Sequence, residues 1–208
     1  MTHKTNPISY RLGITYNWHS RYFMRRDRGF FLEEDALIRT IIQKKFKRSG
    51  IESIGIERNA DTVRVYIKTS RPGFIIGRGG TGVDELRKKD VVIQLNIEEV
   101  KKPEISGKIV AENVAVSLER RMPFRKTIKN TLAKVMSYRD VKGAKIKVSG
   151  RLDGAEISRR EFVAEGKIPL ITIRSLIDYG EERAYCTYGV IGIKVWIYKG
   201  EVLEKDLI

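Results

Sequence analysis

The sequence predicts an α+β protein made of two compact modules, and three observations carry that prediction. Apolar residues recur with a period of two in 63–67 and 91–97, but with a helical period in 32–48. Lys101-Lys102-Pro103 interrupts both patterns near the middle of the chain. Beyond it two helical stretches come first and the strand-like runs follow together, the order of a two-layer α/β domain. At 208 residues the chain has room for two small cores. The expected division is a basic arm over 1–16, a first module over 17–103, and a second over 104–208 with two helices on a mostly antiparallel four-stranded sheet.

The arm and its continuation carry six basic residues before Gly29, namely Lys4, Arg11, Arg21, Arg25, Arg26 and Arg28, against one acid, Asp27. Trp18, Tyr22 and Phe23 are threaded among them. Such interleaving suits an arm laid along RNA, with rings on bases and guanidinium groups on phosphates. The alternative use of the rings is to dock the arm on its own domain.

Leu32 to Arg48 reads as an amphipathic helix. Acids (Glu33, Glu34, Asp35) fill its first turn, bases (Lys44, Lys45, Lys47, Arg48) its last, and Gly50 stops it. Leu37, Ile38, Ile41, Ile42 and Phe46 form the stripe expected to be buried. Ile51 to Glu57 and Thr62 to Thr69 read as a hairpin around Asn59-Ala60-Asp61, with Val63, Val65 and Ile67 alternating with Arg64, Tyr66 and Lys68.

The next stretch, Arg71 to Gly80, is Arg-Pro-Gly-Phe-Ile-Ile-Gly-Arg-Gly-Gly. Pro72 and Gly73 end the strand, Phe74-Ile75-Ile76 offer an apolar anchor, and the glycines let backbone N–H groups approach a phosphate. A short helix-like run, Val83 to Lys88, leads out, and a strand follows in which Val91, Ile93, Leu95 and Ile97 alternate with polar residues. Gly77, Gly79 and Gly82, with Glu98 further on, also satisfy a dinucleotide-binding fingerprint. That fingerprint needs a full buried strand before it and a long crossover helix after it, and neither fits here. A plain surface turn is the remaining reading.

In the second module a helix runs from Glu104 to about Arg121, ended by Pro123, and another from Phe124 to about Ser137. Phe124, Ile128, Leu132 and Val135 fall on one arc of the second, while Arg125, Lys126, Lys129 and Lys134 spread over the rest. Between Arg120 and Arg151 there are eleven Lys or Arg and one acid, Asp140. A solvated face ordinarily mixes signs, so this surplus points to a polyanion-binding surface. Strands are expected around Ile146 and Val148, over Lys167–Ile177 and over Ala184–Tyr198, with turns at 150–154 and at Tyr179-Gly180-Glu181-Glu182. The end, from Glu201, is expected to fray.

The formal charge of +15 and a pI near 9.9 make nucleic acid the expected partner. The single cysteine, Cys186, excludes an internal disulfide framework or a cysteine-based zinc site and reads as a small buried residue. His3 and His19 both lie near the N-terminus and do not form a metal or acid–base site. Glu98 and Glu99 point to opposite faces of a strand, and no Walker-type phosphate loop is present. No signal peptide or membrane-length apolar run appears, so a cytoplasmic protein that is not an enzyme, with no cofactor or metal, is expected.

The glycine loop, set in the order helix, strand, strand, short helix, loop, helix, strand, resembles the K-homology (KH) domain of type II, whose loop clamps RNA by its backbone. Wider resemblance comes from five stretches: His3-Lys4-Thr5-Asn6-Pro7 with Arg11-Leu12-Gly13; Arg71 to Gly80; Leu118-Glu119-Arg120-Arg121; Ser149-Gly150-Arg151-Leu152 with Gly154-Ala155-Glu156-Ile157; and Thr187 to Ile197. Together they are similar to the bacterial form of the third protein of the small ribosomal subunit. That resemblance implies a type II KH domain (α-β-β-α-α-β) followed by the α/β domain, in the head of the subunit. It implies binding of small-subunit rRNA, the tenth and fourteenth proteins of the subunit as neighbours, and a place on the path by which mRNA enters.

Carried over by position, the RNA-gripping loop is Gly77, Arg78, Gly79 and Gly80, and the residues at the mRNA entrance are Arg125, Lys126 and Lys129. The basic residues expected on rRNA are Lys4, Arg11, Arg21, Arg25, Arg26, Arg151, Arg159 and Arg160. The segment before Val91 is shorter than is usual in the family, and the chain stops on Lys205-Asp206-Leu207-Ile208 without the family's basic extension. A free KH-type regulator or RNA chaperone would share the loop and the charge but not the C-terminal motifs. A nucleotide-cofactor enzyme would need the fingerprint reading.

Overall fold

The computed structural model describes residues 5–22, 28–59, 62–77, 80 and 93–202. These fall into two compact units, one from Trp18 to Lys101, the other from Lys102 onward together with the N-terminal segment up to Asn17.

In the first unit, strands β1 (Ser20–Tyr22), β2 (Ile51–Arg58), β3 (Val63–Thr69) and β4 (Ile93–Glu99) form one sheet in chain order. The pairs β1–β2 and β3–β4 are parallel, and β2–β3 is the expected antiparallel hairpin. Alternation decides the faces: Val63, Val65, Ile67 and Thr69 are buried, while Arg64 and Lys68 are exposed. Helix α2 (Arg28–Lys45) supplies Ile42 and buries it in the same core as Phe46, which follows its last turn.

Leu37, expected on the buried stripe, is 56% exposed. The buried arc runs instead through Asp35, Ile42 and Phe46, with Ile38 partly buried beside it, and Leu37 lies more than a third of a turn from Asp35 and Ile42. Asp35 tolerates burial because Arg58 donates Nε–H to it at 2.8 Å and Tyr22 donates its hydroxyl at 2.7 Å. A charge is kept inside only with such partners, and these fix helix against sheet.

Helix α3 (Pro72–Ile76) is a single turn. Its Ile75 is fully buried and pins the turn to the core, whereas Phe74 and Ile76 face outward. The apolar triplet is therefore no strand, and the dinucleotide reading loses the buried strand it requires. The helix-like run 83–88 lies outside the described residues.

In the second unit, β5 (Gly143–Gly150), β6 (Arg159–Gly166), β7 (Ser175–Cys186) and β8 (Gly189–Glu201) form an antiparallel sheet in the order β6-β5-β8-β7. Helices α4 (Gly107–Glu119) and α5 (Phe124–Met136) cover one face, with Val114, Leu118, Ile128 and Leu132 packed on Ile146, Val148, Ile193 and Val195. A short 3-10 turn, Pro103–Ile105, precedes α4, so the helix starts later than the sequence suggests.

Two expectations about this sheet are corrected. The stretch Tyr179-Gly180-Glu181-Glu182 is no turn but the middle of β7, and the chain reverses at Thr187-Tyr188. Gly180 is there because α4 comes so close that a Cβ on it would lie 2.1 Å from the Gly107 carbonyl oxygen. Residues 167–174 precede β7 without strand pairing, and the strand that neighbours β5 is 159–166 instead. As an edge strand it buries little: Phe162 is exposed in part, and Val163 packs only partly on the core.

The N-terminal segment packs on this second unit. Helix α1 (Pro7–Tyr10) is capped by Asn6, whose side chain accepts from the Ile8 N–H at 2.9 Å. Arg11 is fully buried, so its expected place on rRNA is corrected. Its guanidinium donates to the carbonyls of Pro7 (3.0 Å), Pro169 (3.3 Å), Leu170 (2.9 Å) and Thr172 (2.8 Å), and this burial lowers its pKa by desolvation. Four carbonyls are thus gathered by one side chain.

Candidate nucleic-acid interface

Helix α5 begins directly after Pro123, whose carbonyl accepts from the Thr127 hydroxyl at 3.0 Å. Phe124, Thr127, Ile128, Leu132 and Val135 face the core. Arg125, Lys126, Lys129 and Lys134 are all exposed on the rest of the helix.

This placement works against the helix. Its first turn holds no acid but two cations, at the end where the macrodipole favours anions. Arg125 with Lys129, and Lys126 with Lys129, stand at four- and three-residue spacings, where like charges repel. Neither the helix dipole nor the spacing favours these residues here.

One carboxylate answers them. Glu161 on β6 accepts from Arg125 Nε at 3.3 Å and Nη2 at 3.2 Å, and this hydrogen bond raises the Arg125 pKa. The fork holds the guanidinium at one orientation while leaving its side chain 72% exposed. Between α5 and the 152–155 turn lies a cleft of about 410 Å³, floored by Phe124 and Leu152 and edged by Arg125, Arg159, Asp153 and Glu161. No local pattern in the chain announces Glu161 as a partner, since 36 residues separate it from Arg125.

The other expected residues are dispersed. Arg159 edges the cleft with Arg125, whereas Arg160, the next residue along β6, faces the opposite side of the sheet. Arg151 is exposed and braces its own turn, donating to the carbonyls of Ala155 at 3.0 Å and Tyr188 at 3.2 Å. In the first unit Arg21 lies 3.7 Å from Glu57, an exposed pair. Gly77 and Gly80 both have positive φ, 72° and 83°, which favours glycine. Arg78, Gly79, Lys4, Arg25 and Arg26 lie outside the described residues. Cys186 is half-buried against the core with its Sγ 3.8 Å from the Leu118 carbonyl. No helix among the described residues is long and apolar enough to cross a membrane.

A four-stranded sheet with its helix and single-turn α3 leading to the glycines, followed by a two-helix α/β unit with a basic helix, defines a KH-domain protein of the nucleic-acid-binding class. The KH domain profile matches residues 37–105, and the profile of the ribosomal protein S3 C-terminal domain matches 114–197. The chain is 47% identical over 215 residues to the small ribosomal subunit protein uS3 of Sulfurovum sp. (strain NBC37-1), across 100% of this chain and 91% of the relative. Its counterpart in Geobacter sulfurreducens is 46% identical, across 98% of both chains, and that of Alkalilimnicola ehrlichii 44%, across 99% and 93%. The chain belongs to the ribosomal protein S3 family. These relatives are named as ribosomal proteins, not as enzymes.

Proposed function

We propose that the chain is a structural constituent of the small ribosomal subunit that binds small-subunit rRNA and lines the path by which mRNA enters. The observation that supports this most is helix α5, whose Arg125 and Lys126 stand exposed against the helix dipole, with Lys129 one turn on repelling both. In this reading the three cations hold separated strands of a structured message while the ribosome moves. The unwinding is passive and breaks no bond. Arg125 arrives pre-oriented by Glu161, which limits the entropy lost on meeting a phosphate.

The glycine loop, Gly77 to Gly80 with Arg78, grips RNA by its backbone. Lys4, Arg21, Arg25, Arg26, Arg151, Arg159 and Arg160 contact rRNA, and Arg11 holds the N-terminal segment in place. Residues 17–103 act as the KH module, 104–208 as the second RNA-facing module, and 1–16 as a segment docked on the latter. The tenth and fourteenth proteins of the subunit are the neighbours, and the assembly is cytoplasmic.

Sedimentation of the tagged protein with ribosomal particles tests the reading. The expected result is co-migration with small subunits that persists through a moderate salt wash. A pool wholly free of particles would favour the free KH-type regulator instead. Saturable micromolar binding of a dinucleotide would revive the enzyme reading.

A further inference from the structure

The face of the second sheet turned away from α4 and α5 has a composition that neither the core nor helix α5 explains. Strand register places Lys145 beside Trp196, and Trp196 beside Tyr179, in one row across β5, β8 and β7. Phe162 on β6 shares the face. The Lys145 ammonium lies 4.4 Å from the Phe162 ring centre and 5.7 Å from the Trp196 ring, and the Tyr179 and Trp196 rings are 5.5 Å apart. Phe162 is 60% exposed. An exposed phenyl ring on an edge strand gains little from its own core, and a cation set between two rings fixes both in place.

The charge on this face is one-sided. The next row holds Lys147 and Lys194 with Glu181, and the row beyond adds Arg160 and Arg183. Glu181 already accepts from the Tyr179 hydroxyl at 2.8 Å and lies 3.4 Å from Lys194. Among the described residues no carboxylate lies within ion-pair distance of Lys147 or Arg160. The far end is closed by the N-terminal segment, where the Tyr16 hydroxyl donates to the carbonyl of fully buried Ile177 at 2.8 Å.

We propose that this sheet face is a stacking platform for a single-stranded RNA segment, separate from helix α5. Protein interfaces are depleted of lysine at their centre. Ordered rings interleaved with surplus cations fit unpaired bases and their phosphates instead. Phe162 and Trp196 stand two strand spacings and one row apart, roughly 12 Å between backbones, so each can take its own base, with Lys145 between them. Lys147, Arg160 and Arg183 then meet the phosphates. The proposal rests on the RNA-binding reading above but assigns a different surface.

Trp18 and Trp196 are the only tryptophans, so the full chain carrying Trp18→Phe reports on Trp196 alone. Titration with an unstructured oligouridylate about 12 nucleotides long is expected to quench its emission saturably. Phe162→Ala, at an exposed position, is expected to weaken binding roughly tenfold and to reduce the quench, with the fold checked by circular dichroism. Arg125→Ala with Lys126→Ala and Lys129→Ala is expected to leave the quench amplitude intact. Binding that the triple variant weakens, but that neither quenches Trp196 nor responds to Phe162→Ala, overturns this inference and spares the function proposed above. No binding by any form overturns both. Protection of Trp196 by a neighbouring protein in the assembled subunit, with no response to RNA, would mark the face as a protein contact and also overturn it.

Discussion

Glu161 holds Arg125 by two hydrogen bonds, from Nε at 3.3 Å and from Nη2 at 3.2 Å, across the gap between β6 and helix α5. The pair holds the guanidinium at the edge of the cleft and offsets part of the local positive charge. As an exposed pair, screened by solvent, it contributes little to stability. Glu161→Gln should therefore leave the denaturant midpoint nearly unchanged while tightening oligonucleotide binding a few-fold at low salt. Equilibrium titration checks this, and weaker binding would mean that orientation outweighs charge.

Arg11 acts on folding. Removing it takes a donor from four carbonyls, of which that of Thr172 still accepts from the Ser175 N–H at 3.3 Å, so Arg11→Ala should cost roughly 3 kcal/mol in urea unfolding. Arg11→Lys should not restore the loss, because an ammonium cannot span carbonyls that a planar fork reaches together. The salt dependence of RNA binding by the folded fraction should stay as in the parent chain.

Gly180 and Gly107 let α4 sit directly on β7. A methyl group on Gly180 would lie 2.1 Å from one backbone oxygen and 2.5 Å from the Lys108 nitrogen, and backbone cannot step aside cheaply. Gly180→Ala should destabilise by about 1–3 kcal/mol or more, read as a lower thermal midpoint. An unchanged midpoint would mean that the helix shifts freely.

Glu181 has its pKa lowered, first by the hydrogen bond from Tyr179 and also by Lys194, while desolvation acts the other way. A carboxylate depressed in the folded state contributes stability that is present above its unfolded value, and the contribution is lost as pH falls through the folded one. Tyr179→Phe should move the Glu181 titration upward toward the ordinary 4.5, and the acid limb of the stability profile should shift to higher pH with it. Carbon-detected NMR of the side-chain carboxylate reads this directly.

How much of the fold and the site is legible in the chain depends on whether a feature is local. Helix α2, the β2–β3 hairpin and helix α5 follow from periodicity because each buries one face against a core. Edge strand β6 buries almost nothing, so Arg159 to Gly166 carries no alternation to read. Gly180 looks like punctuation because its reason for being glycine, the backbone of Gly107, lies 73 positions earlier in the chain. Counting charges puts Arg11 on RNA, since nothing in its neighbourhood predicts carbonyls from Pro169 to Thr172. The same blindness hides Glu161. Periodicity and charge thus locate the cationic helix and misjudge which of the basic groups the fold itself uses.

If α5 meets RNA as proposed, the salt dependence of binding counts the phosphates its cations neutralise. For the isolated chain on a single strand, the log–log slope should fall by roughly 0.7 for each phosphate left without its cation when Arg125, Lys126 and Lys129 are replaced by alanine. A slope unmoved by the triple substitution would remove the helix from the binding surface.

The most direct test is translation by ribosomes carrying that triple variant, timed through messages with and without a stable hairpin. Slower passage through the hairpin, at near-normal speed on the unstructured message and with normal subunit assembly, is the predicted result. Equal slowing on both messages would contradict a role for this helix in holding separated strands.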